Sequence, residues 1–114
     1  MRGERIAETW LTARGFRPID RRYRRRTGEI DLILDDHGTV VFVEVKSRRR
    51  TTAGTPAEAV TARKTERLAT TALHFLHERG WLERPARFDV VEVLAAPGRT
   101  PTVRHIRDAF RPPG

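Results

Sequence analysis

Between Gly28 and Lys46 the chain reads Gly-Glu-Ile-Asp-Leu-Ile-Leu-Asp-Asp-His-Gly-Thr-Val-Val-Phe-Val-Glu-Val-Lys, and three of its charged residues, Asp31, Glu44 and Lys46, interrupt apolar runs. Charge placed in a buried strand is costly unless it is paired or used, so this segment reads as an active site. The two apolar runs flank Asp35-Asp36-His37-Gly38, and a residue followed by glycine at the centre of a short connection signals a two-residue hairpin turn. With His37-Gly38 as that turn, Asp36 faces Thr39, Asp31 faces Glu44, and Glu29 faces Lys46. One face then collects the chemistry. The other collects Ile30 with Val45, Leu32 with Val43, and Leu34 with Val41, an apolar surface for helices to cover. A slip of one residue would throw the carboxylates into the apolar set, so the pattern itself selects the register.

Directly opposed residues have Cβ atoms roughly 4.5 to 5.5 Å apart, which brings the Asp31 and Glu44 carboxylates within reach of one divalent cation. Without a cation the two anions repel and one pKa rises; Mg²⁺ or Mn²⁺, which prefer oxygen ligands, would keep both ionised. Lys46 projects from the face of Glu44. There it can orient an attacking water and offset the negative charge that grows as a phosphodiester is cleaved. Glu-x-Lys alone is a weak signal, because alternating Glu and Lys on an edge strand is an ordinary solubility device. The aspartate opposite it and the apolar rear face raise its weight.

These residues need a scaffold, and the rest of the chain supplies one. Ile6, Ala7, Trp10 and Leu11 recur at helical spacing, and Gly15 closes that helix. A first strand is expected around Ile19 to Tyr23, followed by the hairpin, and the block Ser47 to Thr55 reads as a mobile basic loop. Pro56 to Val60 suggests a short turn of helix. From Thr61, a plausible N-cap, a longer helix runs to Gly80 with Leu68, Ala69, Ala72, Leu73 and Leu76 on one stripe. A strand over Arg87 to Leu94, the turn Ala96-Pro97-Gly98 and a last strand around Thr102 to Ile106 complete the order. Helix, three strands, helix and two strands predict an α/β fold, a mixed sheet flanked by helices.

The 114 residues make one domain, expected over 1–110 with a short flexible tail at 111–114. A formal net charge of +8, from 23 basic and 15 acidic residues, points to a polyanionic partner, and nucleic acid is the leading one. The basic residues are 21 Arg and 2 Lys, a ratio that suits bidentate phosphate contacts and equally a GC-rich codon bias. There is no cysteine, hence no disulfide framework and no thiolate metal site. No stretch resembles a signal peptide or approaches the ~20 apolar residues that cross a bilayer, so a cytoplasmic protein without membrane contact is expected. His74 and His77 share a helical face, but two histidines without further ligands do not make a zinc site.

Asp31 followed by Glu44-Val45-Lys46 resembles the motif of the PD-(D/E)XK, or restriction-endonuclease-like, nucleases. The stretches Gly3-Glu4-Arg5-Ile6-Ala7, Gly28 to Ile33, Phe42 to Lys46, Glu58-Ala59-Val60-Thr61 with Lys64, and Arg87 to Val91 resemble, in order and spacing, the YraN family. That resemblance implies an αβββαβ core shared with archaeal Holliday junction resolvases. It also implies nucleic-acid binding, and a site of Glu4, Asp31, Glu44 and Lys46. Ile30 stands where the superfamily name has proline, a position that carries no ligand. Two basic clusters bracket the motif and are expected on the nucleic-acid backbone: Arg21, Arg22, Arg24, Arg25 and Arg26 before it, and Arg48, Arg49 and Arg50 after it, with Lys64 beyond. The expected activity is a metal-dependent DNA endonuclease, structure-specific and acting as a homodimer if it cuts both strands. The alternatives are a catalytically silent nucleic-acid-binding accessory module in DNA repair, recombination or uptake, and a protein-interaction scaffold whose charge reflects codon bias.

Overall fold

The computed structural model describes residues 2–49 and 61–111. Their order is α1 (Arg2–Thr12), β1 (Arg17–Arg25), β2 (Gly28–Asp36), β3 (Thr39–Arg49), α2 (Ala62–Arg79), β4 (Ala86–Ala95) and β5 (Thr102–Phe110). The strands form one sheet in chain order, β1-β2-β3-β4-β5. Only β3 and β4, which α2 connects, run parallel. This mixed α/β architecture is compatible with the restriction-endonuclease-like core that the sequence implies.

The hairpin forms as its turn chemistry requires. Asp36 pairs with Thr39, and His37 and Gly38 both take positive φ, 51° and 100°, the pair of left-handed residues that a tight hairpin turn uses. α2 is bounded by local chemistry too. The Thr61 side chain accepts the Lys64 N–H, and Gly80 closes the helix in the left-handed conformation at φ 71°.

The sheet is covered on both faces. α1 packs with Ala7 and Leu11 on Leu32, Leu34, Val41, Val43, Val91 and Val93. On the other face Leu68, Ala72, Phe75 and Leu76 of α2 meet Tyr23, Ile30, Ile33, Phe42 and Phe88. Phe75 is the centre of this layer, edge-on to Tyr23, Phe42 and Trp81 at ring separations of 5.1, 6.0 and 6.0 Å. Truncating it to alanine would cost about 3–5 kcal/mol. Leu73, expected on the buried stripe, is instead 57 % exposed, and Phe75 takes its place because the helix faces the sheet one residue further round.

Other expectations are corrected as well. Ile30 does not share a face with Leu32: it packs with Tyr23 under α2, whereas Leu32 packs under α1. The pair β1–β2 changes face between Arg21–Leu32 and Tyr23–Ile30, where Arg22 adopts φ 51° and Arg22 and Asp31 are left out of the ladder. The expected loop from Ser47 is strand as far as Arg49, drawn out by parallel pairing that reaches Arg49 opposite Ala95. The last strand likewise runs past Ile106 to Phe110. Residues 50–60 and 112–114, with Arg50, the expected turn at Pro56 and most of the expected tail, lie outside the described residues.

Both margins of the sheet are irregular. β1 has a register shift between Pro18 and Asp20 besides the positive φ of Arg22. β5 pairs with β4 through a shift between Phe88 and Val90, and Asp108 has φ 49°.

Candidate active site

The ladder between β2 and β3 extends from Asp36–Thr39 to Leu32–Val43 and goes no further. Asp31 and Glu44 are therefore not a paired rung as the extrapolated register had them, nor are Glu29 and Lys46. Instead the two strands part at Asp31, and its Oδ2 accepts the Val45 N–H at 2.7 Å in place of a backbone carbonyl. The parting results from the change of face at Arg22–Asp31. It turns the Asp31 carboxyl into the gap, beside Glu44.

Glu44, only 8 % exposed, lies within the sheet where β3 runs beside Val90 of β4. Its carboxyl adjoins that of Asp31, and two anions that close repel. Burial first, and then the Glu44 charge, push the Asp31 carboxyl up to about 6, against the opposing pull of the Val45 N–H. Lys64, from the first turn of α2, reaches back to Glu44 with Nζ 3.3 Å from Oε2. Its amine also adjoins that of Lys46. Burial and the adjoining Lys64 hold Lys46 below the ordinary lysine range, whereas at Lys64 the neighbouring Lys46 and Glu44 outweigh burial and raise the pKa.

Glu4 arrives from the other layer. α1 sits so close on β3 that a Cβ at Gly3 would collide with the Ser47 side chain, and this close seating brings Glu4 to the gap. Burial and then the Asp31 charge raise the Glu4 carboxyl above its ordinary range. Arg22 stands 3.8 Å from Glu4 and 3.9 Å from Glu29. Glu4, Asp31, Glu44 and Lys46 are thus brought into one neighbourhood, with contributions from both sides of the sheet.

Among the described residues no group of three or more His, Cys, Asp or Glu side chains gathers as a metal cluster. The adjoining carboxylates that could hold a cation are Asp31 and Glu44. Each has one oxygen engaged, by Val45 N–H and by Lys64, which leaves Oδ1 and Oε1 for a ligand. Two hard oxygens and a strained acid pair fit a hydrated Mg²⁺ or Mn²⁺, which keeps several waters and needs one or two carboxylates. They do not fit a four-ligand structural zinc.

The expected basic residues separate into groups. Arg21 is held by both oxygens of Glu8 at 2.6 Å, Arg24 lies 3.3 Å from Glu29, and Arg25 is bound to Glu78 on α2. Arg48 pairs with the buried Glu92 at 3.1 Å. Arg26 is exposed in the turn between β1 and β2, and Arg49 ends β3. Sequence reasoning missed Arg63 and Arg67. Together with Lys64 they line a cleft of about 540 Å³ between the start of α2 and Gly28–Glu29. Their i, i+4 spacing on the first turns of a helix capped by Thr61 was the available signal.

Asp89, fully buried, belongs to a separate structural network. It accepts from Arg87 at 2.9 Å and from the Asp108 N–H at 2.9 Å, and it lies 2.8 Å from Nε2 of His105. Burial alone would raise its carboxyl, but these bonds hold it below the ordinary carboxylate range.

The family model described as Uncharacterised protein family UPF0102 matches residues 3–93, from the helix that carries Glu4 to the middle of β4. The chain belongs to the UPF0102 family, which is the YraN family. The chain is 52 % identical over 108 residues to the UPF0102 protein of Symbiobacterium thermophilum, covering 95 % of this chain and 92 % of that one. It is 45 % identical to the UPF0102 protein of Rhodococcus opacus over the same shares. It is also 41 % identical to that of Geobacter sulfurreducens, over 96 % and 86 %. The match to the UPF0102 model takes in every residue of the acid–lysine site.

Proposed function

We propose that this UPF0102 chain is a metal-dependent phosphodiesterase acting on DNA. The observation that carries the reading is the parting of β2 from β3, which sets the Asp31 and Glu44 carboxyls beside Lys46 and Lys64 in one gap. A structural ion pair has no use for such an arrangement, in which one carboxyl is driven up and one amine down within a single gap.

Asp31 and Glu44 would hold the cation, which supplies Lewis acidity towards a phosphoryl oxygen and lowers the pKa of water. Lys46, whose proton burial and Lys64 loosen, takes in its amine form a proton from the attacking water as the new P–O bond forms. The P–O bond to the leaving sugar oxygen then breaks, and solvent protonates that oxygen. Lys64, already an ammonium, faces the charge that spreads over the phosphoryl oxygens, and Glu4 orients water from the α1 side. Exposed arginines, Arg26 and Arg63 among them, attract the phosphate backbone.

The second reading is a nucleic-acid-binding module that does not cut, favoured by the Lys64–Glu44 ion pair, which would neutralise the acid pair without a cation. End-labelled single-stranded, duplex, flap and four-way-junction DNA incubated with wild type, Asp31→Ala and Lys46→Met, in Mg²⁺, Mn²⁺ or EDTA, separates the two. Cation-dependent products lost in both variants support the phosphodiesterase. Shifted DNA with no product under any cation supports the module.

A further inference from the structure

The cleft beside the acid pair is built differently from a surface that merely attracts phosphates. It is a concavity of about 540 Å³ whose floor is Leu68 and the backbone of Gly28, and whose rim is Thr61, Arg63, Lys64 and Arg67. Arg67 is oriented by its Nε, which donates to the Thr27 carbonyl at 3.2 Å. Arg63 is exposed and has no ion-pair partner among the described residues. The one acid of the lining, Glu29, is already engaged by Arg22 and Arg24, so the rim is cationic. Lys64 belongs to both places: its stem lines the cleft while its ammonium reaches Glu44.

We infer that this cleft is a subsite for one unpaired nucleotide of the substrate strand, its phosphate on Arg63 and Arg67 and its sugar and base against Leu68 and Gly28. The inference rests on the nucleic-acid reading above and specifies its substrate. A continuous duplex presents its phosphates on a convex ridge with the bases turned inward, and would touch only the rim. A concavity of several hundred Å³ with an apolar floor and a few cationic groups matches a small organic anion of nucleotide size. Filling it from a duplex requires a base to leave its stack, and that cost is least where the base is already unpaired. Substrates with a flap, a gap or a junction would therefore be preferred over a blunt duplex.

The test is fluorescence anisotropy in EDTA, where nothing is cut, with a blunt duplex and the same duplex carrying a short single-stranded flap. Wild type should bind the flap DNA about tenfold or more tightly. Arg63→Ala should remove that preference and lower the salt slope for flap DNA by about 0.7, one single-strand phosphate contact, while weakening the blunt duplex, which meets only the rim, much less. Arg63→Lys should restore part of the preference. Arg63 is exposed and has no ion pair or side-chain hydrogen bond among the described residues, so this variant should keep the fold, and circular dichroism checks it. Equal affinity of wild type for the two DNAs, or an equal loss for both in Arg63→Ala, would overturn the subsite and leave the nucleic-acid reading standing. Absence of binding to either DNA would overturn both.

Discussion

Replacing Asp31 by Asn should stabilise the cation-free protein at neutral pH and leave its stability unchanged in acid. The Asp31 carboxyl has an ordinary pKa of 3.8 and rises to about 6 in the fold. A carboxyl that binds its proton more tightly folded than unfolded favours folding when protonated. Its contribution is therefore complete below the unfolded value and is lost as pH climbs from about 4 through about 6. At 1.36 kcal/mol per unit the gap corresponds to about 3 kcal/mol, reduced to about 2 by the partial access of water to the gap. Asn keeps an oxygen for the Val45 N–H and offers its amide to Glu44, so it imitates the protonated acid at every pH. Urea unfolding in EDTA should show the two proteins equal near pH 4 and the variant ahead by about 2 kcal/mol near pH 7.5. Adding Mg²⁺ at the higher pH should close the difference by stabilising wild type alone. A variant that is destabilised by the same amount at both pH values would show that Asp31 is not strained against Glu44, and the argument for a cation there would fall with it.

Lys46→Met should reduce cleavage by at least about 10² while leaving the affinity for DNA nearly unchanged, read by single-turnover cutting beside anisotropy. In wild type the rising limb of the pH–rate profile assigned to Lys46 should lie below the ordinary lysine range, since burial and Lys64 favour its neutral form. Glu4→Gln should weaken cation binding by about tenfold in calorimetry and leave the melting temperature intact, as befits a group acting through water on the ligand pair. Asp89→Ala, by contrast, should cost about 3–5 kcal/mol in urea unfolding because Arg87 and His105 lose a fully buried partner.

Features fixed by local chemistry were legible from the residues alone. His37-Gly38 between apolar runs, Thr61 before α2 and Gly80 after it each act over a few residues, and each boundary is where the sequence puts it. What escaped was set by distant partners. Ser47 to Arg49 have no strand signature, yet β4 and Glu92 draw them into the sheet. The change of face at Arg22–Asp31 breaks the alternation on which register arguments rest, so Asp31 met Glu44 by a route that strict pairing did not give. Lys64 was noted only as a phosphate contact, because its bond to Glu44 depends on how α2 lands on the sheet.

The two outer strands have a consequence for how copies of this chain can meet. Pro18 has no N–H to offer a neighbour, and Arg22 and Asp108 turn the backbone out of extended conformation midway along each margin. Neither margin is regular along its whole length, which disfavours prolongation of the sheet by a second chain. Self-association through helices or strand ends is favoured by comparison. The spacing of two acid pairs in such an assembly, and hence the stagger between paired cuts, would be dictated by side-chain fit and open to change by surface substitution.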